Sequence, residues 1–115
     1  MSQIVTKRSL EAMCRTAASE EQLARIIGRA VLALFKRQTE DERKDNTTRV
    51  HNRRGFKPQD AREGSITAKY FIKHGTLQDW QVRKWTKTNE MGEMRITKYW
   101  RQLNEEAVAR RAAQG

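Results

Sequence analysis

Leu23, Ile26, Ile27, Ala30, Val31, Leu34 and Phe35 recur at the i, i+3, i+4, i+7 spacing that lines one face of an α-helix. Arg25, Arg29, Lys36 and Arg37 fall off that face. Just upstream, Ser19-Glu20-Glu21-Gln22 has the form of a capping box. The Ser19 hydroxyl can accept from the third backbone amide while Gln22 reaches back. A chain with one dominant stripe of this period buries it by packing other helices against it, so this helix is the expected core element. Gly28 interrupts the stripe at about 1 kcal/mol relative to alanine and marks an expected close helix crossing.

The remaining patterns are helical too. Ser9 is placed to cap a short first helix to about Ala17, with Leu10, Met13, Cys14 and Ala17 on one face. Pro58 suits the first turn of a short helix through Arg62, and Gly64-Ser65 should break the chain and cap the next helix, Ile66 to His74. Gly75 suits a left-handed C-terminal position, and Thr76 with Asp79 signals a further start, for a helix ending near Thr86. Met91-Gly92 marks a turn, after which Ile96, Tyr99, Trp100, Leu103 and Ala107 form one face of a last helix. The expected fold is all-α: a single small domain of five or six short helices over 1–115, with a long basic loop or arm at 39–57 and a frayed tail at 109–115.

Length and composition limit the function classes. A chain of 115 residues has room for one domain. No stretch approaches the roughly 20 apolar residues that cross a bilayer, and the start, Met1 to Arg8, lacks a signal-like apolar run. Cys14 is the only cysteine, which fits a reducing compartment, and a cytoplasmic location without membrane association is expected. Asn46-Thr47-Thr48 matches a glycosylation sequon, which has no meaning without a secretory route.

The net charge of +10 is unevenly spread. Residues 1–48 hold nine basic and seven acidic residues, residues 49–101 hold thirteen and five, and the rest balance. A field of this kind attracts polyanions, of which nucleic acid is the commonest for small basic proteins; the plain alternative is a solubilising surface. Arg49, Arg53, Arg54 and Lys57 fall in a run without an acid and lead the candidates for phosphate contact. Lys69, Lys73, Arg83, Lys84 and Lys87 extend the set across Ser65 to Trp85, whose helix, glycine turn and helix have the rhythm of a helix-turn-helix. Leu77, Trp80, Val82 and Trp85 cover an arc of about 200° on the second of these helices, more than one core contact covers. Trp80 or Trp85 is therefore a candidate to stack on an unpaired base, against the alternative that both are large core residues.

Chemistry beyond binding has little support. His51, His74 and Cys14 are scattered without ligand spacing, so neither metal nor cofactor is expected. Asp60, Glu63, Asp79, Glu90 and Glu93 near His74 would make a nuclease-like cluster if the fold gathered them, but they also stand where helix starts and turns favour acids. There is no glycine-rich phosphate loop and no nucleophile context, and a non-enzymatic protein is expected.

With Ile27-Gly28-Arg29-Ala30, Phe35-Lys36-Arg37-Gln38-Thr39, Gly64 through Gly75 and Asp79-Trp80-Gln81, the chain resembles a family of small bacteriophage and plasmid proteins of no defined activity. Ser65 to Trp85 is also similar to a short helical module found beside phage DNA-processing domains. The resemblance implies a mobile-element setting in a bacterial host. That setting fits low-specificity DNA or RNA binding, and it fits equally an inhibitor or adaptor that docks on a host protein or defence nucleoprotein. Val108 on the last helix leaves a homodimer open.

Overall fold

The apolar stripe forms the spine of the molecule. Helix α2 spans Glu20–Lys44 and buries Ala24, Ile27, Ala30, Val31, Ala33 and Leu34, with Ile27, Val31 and Leu34 wholly enclosed. Residues 5–44 and 55–114 are described by the structure, a computed structural model. Around α2 lie α1 (Lys7–Arg15), α3 (Pro58–His74), α4 (Asp79–Thr86), a 3-10 helix (Arg95–Tyr99) and α5 (Trp100–Gln114). The fold of the described residues is all-α. Among the described residues Thr88 and Met94 form an isolated antiparallel bridge, and no helix is long and apolar enough to cross a membrane.

The most extensive packing is that of α3 on α2, and two glycines shape it. At Gly28 the Phe71 ring lies so close that an added Cβ would stand 2.2 Å from it. The glycine of the stripe therefore marks a close crossing, as its position suggests. At Gly64 an added Cβ would stand 2.5 Å from the Phe56 ring. The expected break at Gly64-Ser65 is absent, and α3 runs unbroken from Pro58 to His74. The missing side chain leaves a slot that an aromatic ring fills, and burying that ring offsets the helix-propensity cost of the glycine. Phe56 also lies 5.6 Å from Trp85 and meets Tyr99 edge-on at 5.9 Å, so three rings form the centre of the core.

Other boundaries move for local reasons. The first helix is capped by Thr6, not Ser9: the Thr6 hydroxyl accepts from Ser9 N at 3.0 Å while the Ser9 hydroxyl accepts from Thr6 N at 2.8 Å. Ser9 is thus the inner partner of the box, and the helix ends at Arg15. Ser19 does accept from Gln22 N at 3.1 Å, but the Gln22 side chain accepts from Ala18 N, one residue beyond the expected donor. Helix α2 continues to Lys44, so the first part of the expected 39–57 loop is helical. Gly75 closes α3 in the left-handed region at φ 70°. Helix α4 starts after Gln78, whose backbone N–H is accepted by the buried Gln81 side chain at 2.9 Å, rather than through Thr76 and Asp79. Helix α5 reaches Gln114, through most of the expected frayed tail.

Candidate nucleic-acid interface

Helix α4 has two contrasting faces. Gln81, Val82 and Trp85 point into the core, and Trp85 is fully enclosed, its indole N–H donating to Thr67 Oγ1 at 3.2 Å. Stacking on a base is therefore ruled out for Trp85: its ring packs against Phe56 on one side and the Arg95 guanidinium, 4.3 Å from the ring centroid, on another. Trp80 lies on the outer face, 48% exposed. Its indole N–H donates to Gln78 Oε1 at 2.6 Å, which fixes the ring orientation, and Lys84 Nζ lies 5.4 Å from the ring centroid. Arg83 and Lys87 are exposed on the same short segment and form no ion pair among the described residues.

Beneath this face, a charged network joins α3 to the 3-10 helix. Asp60 is buried; its Oδ1 accepts from Arg95 Nε at 3.0 Å and Nη2 at 2.7 Å, and its Oδ2 accepts from Tyr99 Oη and faces Lys98 Nζ at 2.6 Å. Glu63 Oε2 meets Arg95 Nη1 at 3.3 Å and Lys84 Nζ at 3.2 Å. Burial alone would raise the Asp60 carboxyl pKa, but hydrogen bonds from Lys98, Tyr99 and Arg95, with the charge of Arg95, outweigh it and hold the value below the ordinary one. Glu63 is lowered in the same way by Lys84 and Arg95 against its own burial. Burial and the bond to Asp60 raise the Tyr99 phenol, which stays protonated and donating. Tyr99 Oη also accepts from Lys57 N at 3.1 Å, tying the start of α3 into the network.

The network decides what the acids do. Asp60 and Glu63 are spent on neighbouring cations, Glu93 pairs with Lys7, and His74 lies against the Tyr70 ring at 4.2 Å. Among the described residues no group of three or more His, Cys, Asp or Glu is placed to hold a metal ion. The network opens onto a groove of about 760 Å³, whose lining mixes Lys7, Lys84, Lys87 and Lys98 with the carboxylates of Asp60, Glu63 and Glu93.

The sequence-derived candidates thus divide. Arg83, Lys84, Lys87 and Trp80 come together on or beside α4. Lys69 and Lys73 are exposed on α3, about 180° and 220° around the helix from Asp60 and so on its far side. Lys57 is exposed at the α3 N-terminus, and Arg49, Arg53 and Arg54 lie outside the described residues. Two sets of charges were not anticipated. Arg37, placed off the apolar face by the stripe pattern, is only 8% exposed: it donates to Gln102 O at 2.8 Å, pairs with Glu105 at 2.8 Å and so ties α2 to α5. Arg25, Arg29, Arg110 and Arg111 line a second groove between α1, α2 and α5. The i, i+4 spacing of Arg25 and Arg29 was the one available sign of it. Compared with known protein families, with curated proteins and with solved structures, the chain shows no match to any of them.

Proposed function

We propose that the chain is a non-enzymatic nucleic-acid-binding protein of a phage or other mobile element, gripping phosphates with low sequence specificity and stacking an unpaired base on Trp80. The observation that carries this reading is the outer face of α4: an indole half-exposed and hydrogen-bonded to Gln78, with Lys84 beside the ring and Arg83 and Lys87 exposed on the same short segment. An aromatic ring ringed by cations is how single-strand binders hold bases and backbone together without reading sequence. Lys87 at the groove and Lys57 at the start of α3 add exposed cations, and the acid-free run that holds Arg49, Arg53 and Arg54, outside the described residues, is expected from its composition to add phosphate contacts. The pairing of Asp60 and Glu63 with cations supports a binding role over hydrolysis.

The test is a salt titration of the purified protein with labelled single-stranded DNA, duplex DNA and RNA. Removing the ring in Trp80→Ala should cost about 1–3 kcal/mol on the preferred single strand and little on duplex. Arg83→Ala/Lys87→Ala should flatten the log-log salt slope by about 1.4, at roughly 0.7 per phosphate contact on a single strand. Arg53→Ala/Arg54→Ala/Lys57→Ala should flatten it further. Failure to bind any of the three polymers at low salt would refute the reading and leave the host-protein inhibitor or adaptor in its place.

A further inference from the structure

The groove between α1, α2 and α5 has a different character from the face of α4. It encloses about 970 Å³, and its floor is aliphatic: Ile26, Ala30 and Ala33 of α2 lie between α1, which contributes Met13, and α5, which contributes Leu103. Ala30 and Ala33 are small enough to leave a trough along α2, and Met13 stands 48% exposed beside it. Along this trough stand Arg25, Arg29, Arg110 and Arg111. None of the four has an ion-pair partner among the described residues. The only carboxylate among the described residues of the lining, Glu106, is turned to Arg37, 3.5 Å away.

We infer that this groove is a docking site for an acidic amphipathic helix of another protein. An apolar trough between helices takes the apolar face of a further helix at i, i+3, i+4 and i+7. Arginines along it bury their stems and keep their guanidinium heads at the rim, where they bind carboxylates in bidentate fashion. The charge selects the occupant: four arginines facing one engaged carboxylate repel a basic helix and attract one with Asp or Glu beside its apolar face. A second copy of this chain is disfavoured by its own net charge of +10. Nucleic acid is disfavoured by the floor: among the described residues of the lining no aromatic side chain offers a base a stacking surface, and a phosphate backbone held at the arginines would leave the aliphatic floor uncovered. The site is separate from Trp80, so its existence does not depend on the nucleic-acid reading.

The experiment is a selection of short displayed helical peptides, randomised in sequence, on the full-length protein. Enriched peptides should carry Leu, Met or Phe at helical spacing flanked by Asp or Glu. Their amide-shift perturbations should fall on α1, α2 and α5. Affinity should drop at least about tenfold, or about 1.4 kcal/mol, in Met13→Glu and in Arg25→Glu/Arg29→Glu. Both variants alter exposed positions, and unchanged helical circular dichroism separates lost binding from lost fold. Four outcomes would overturn the inference: no enrichment, enrichment of neutral or basic helices, perturbations centred on α4, or binding unaffected by both variants. Single-stranded DNA binding that is lost in Arg25→Glu/Arg29→Glu and kept in Trp80→Ala would also overturn it, by making the groove a phosphate track. Dimerisation through it, seen by light scattering and abolished in Met13→Glu, would do the same.

Discussion

Asp60→Asn tests the network that fixes α3 against the 3-10 helix. The substitution keeps shape and volume but removes the charge that Arg95 and Lys98 face, and leaves one carbonyl oxygen to serve donors that now share two. Breaking a fully buried pair from one side costs about 3–5 kcal/mol. Here the carboxylate side chain is 3% exposed but its partners are not sealed: 21% for Arg95 and 34% for Lys98. Water recovers part of their solvation, and Tyr99 Oη keeps an acceptor in the amide oxygen. The expected loss is therefore about 2–3 kcal/mol, which lowers the melting temperature by roughly 8–15 °C for a domain of this size.

Acid supplies the second half of the test. The Asp60 value in the folded protein lies below its ordinary one, so its contribution is present in full above the unfolded value near about pH 4 and fades as pH falls through the lower, folded value. Asparagine has no such dependence at this position. The gap between the two melting curves, followed by circular dichroism from neutral pH into strong acid, should be widest at neutrality and close in acid. A variant that melts within about 2 °C of the parent at neutral pH, or a gap that persists in strong acid, would refute the assignment of the network as the clamp on α3.

Gly28→Ala sets a helix-propensity gain of about 1 kcal/mol against an overpacking cost of about 1–3 kcal/mol, because the new Cβ meets the Phe71 ring at 2.2 Å; thermal melting should show a net loss, and a rise in melting temperature would disprove the close crossing. Cys14 is buried, and that burial, with the charge of Glu11, pushes its thiol up to about 11; iodoacetamide should label it only after unfolding, as mass spectrometry of native and denatured samples would reveal. In acrylamide quenching, Trp80→Phe should remove the most accessible part of the emission, whereas Trp85→Phe should remove a shielded part; the reverse pattern would contradict the two faces of α4.

What the sequence makes legible is local. The period of Leu23 to Phe35 is enough to place the central helix, and Gly75 and the Gly28 crossing follow from the backbone properties of glycine. Gly64 was misread because its role depends on Phe56, which reaches it from outside the helix, and no propensity argument contains that ring. Thr6 takes the cap position in place of Ser9 because the two hydroxyls bond reciprocally, Thr6 to the Ser9 amide and Ser9 to the Thr6 amide. Trp80 and Trp85 both lie on the apolar arc of their helix in sequence, Trp80 at its edge. Only the packing of Phe56 and the hydroxyl of Thr67 decide between them.

Charge is the property that translated least directly, and the reason is pairing at long range. Residues 49–101 carry most of the positive excess, yet in the fold Asp60 and Glu63 engage three cations, Arg95, Lys98 and Lys84, and offset two of their charges across separations that no sequence window spans. What remains uncompensated on α4 is narrower than the count suggests and is centred on Arg83 and Lys87. Residues 1–48 are almost balanced, and the last fourteen residues are balanced outright, yet α2 and α5 together bring four arginines to one groove, with its lone carboxylate facing away to Arg37. A field is made by the charges left over after folding. If the charge of residues 49–101 as a block governed association, Arg25→Glu/Arg29→Glu would act only through net charge, weakening every anionic partner alike. The groove predicts instead that this pair weakens acidic helices selectively, while Arg83→Ala/Lys87→Ala weakens nucleic acid and leaves those helices bound.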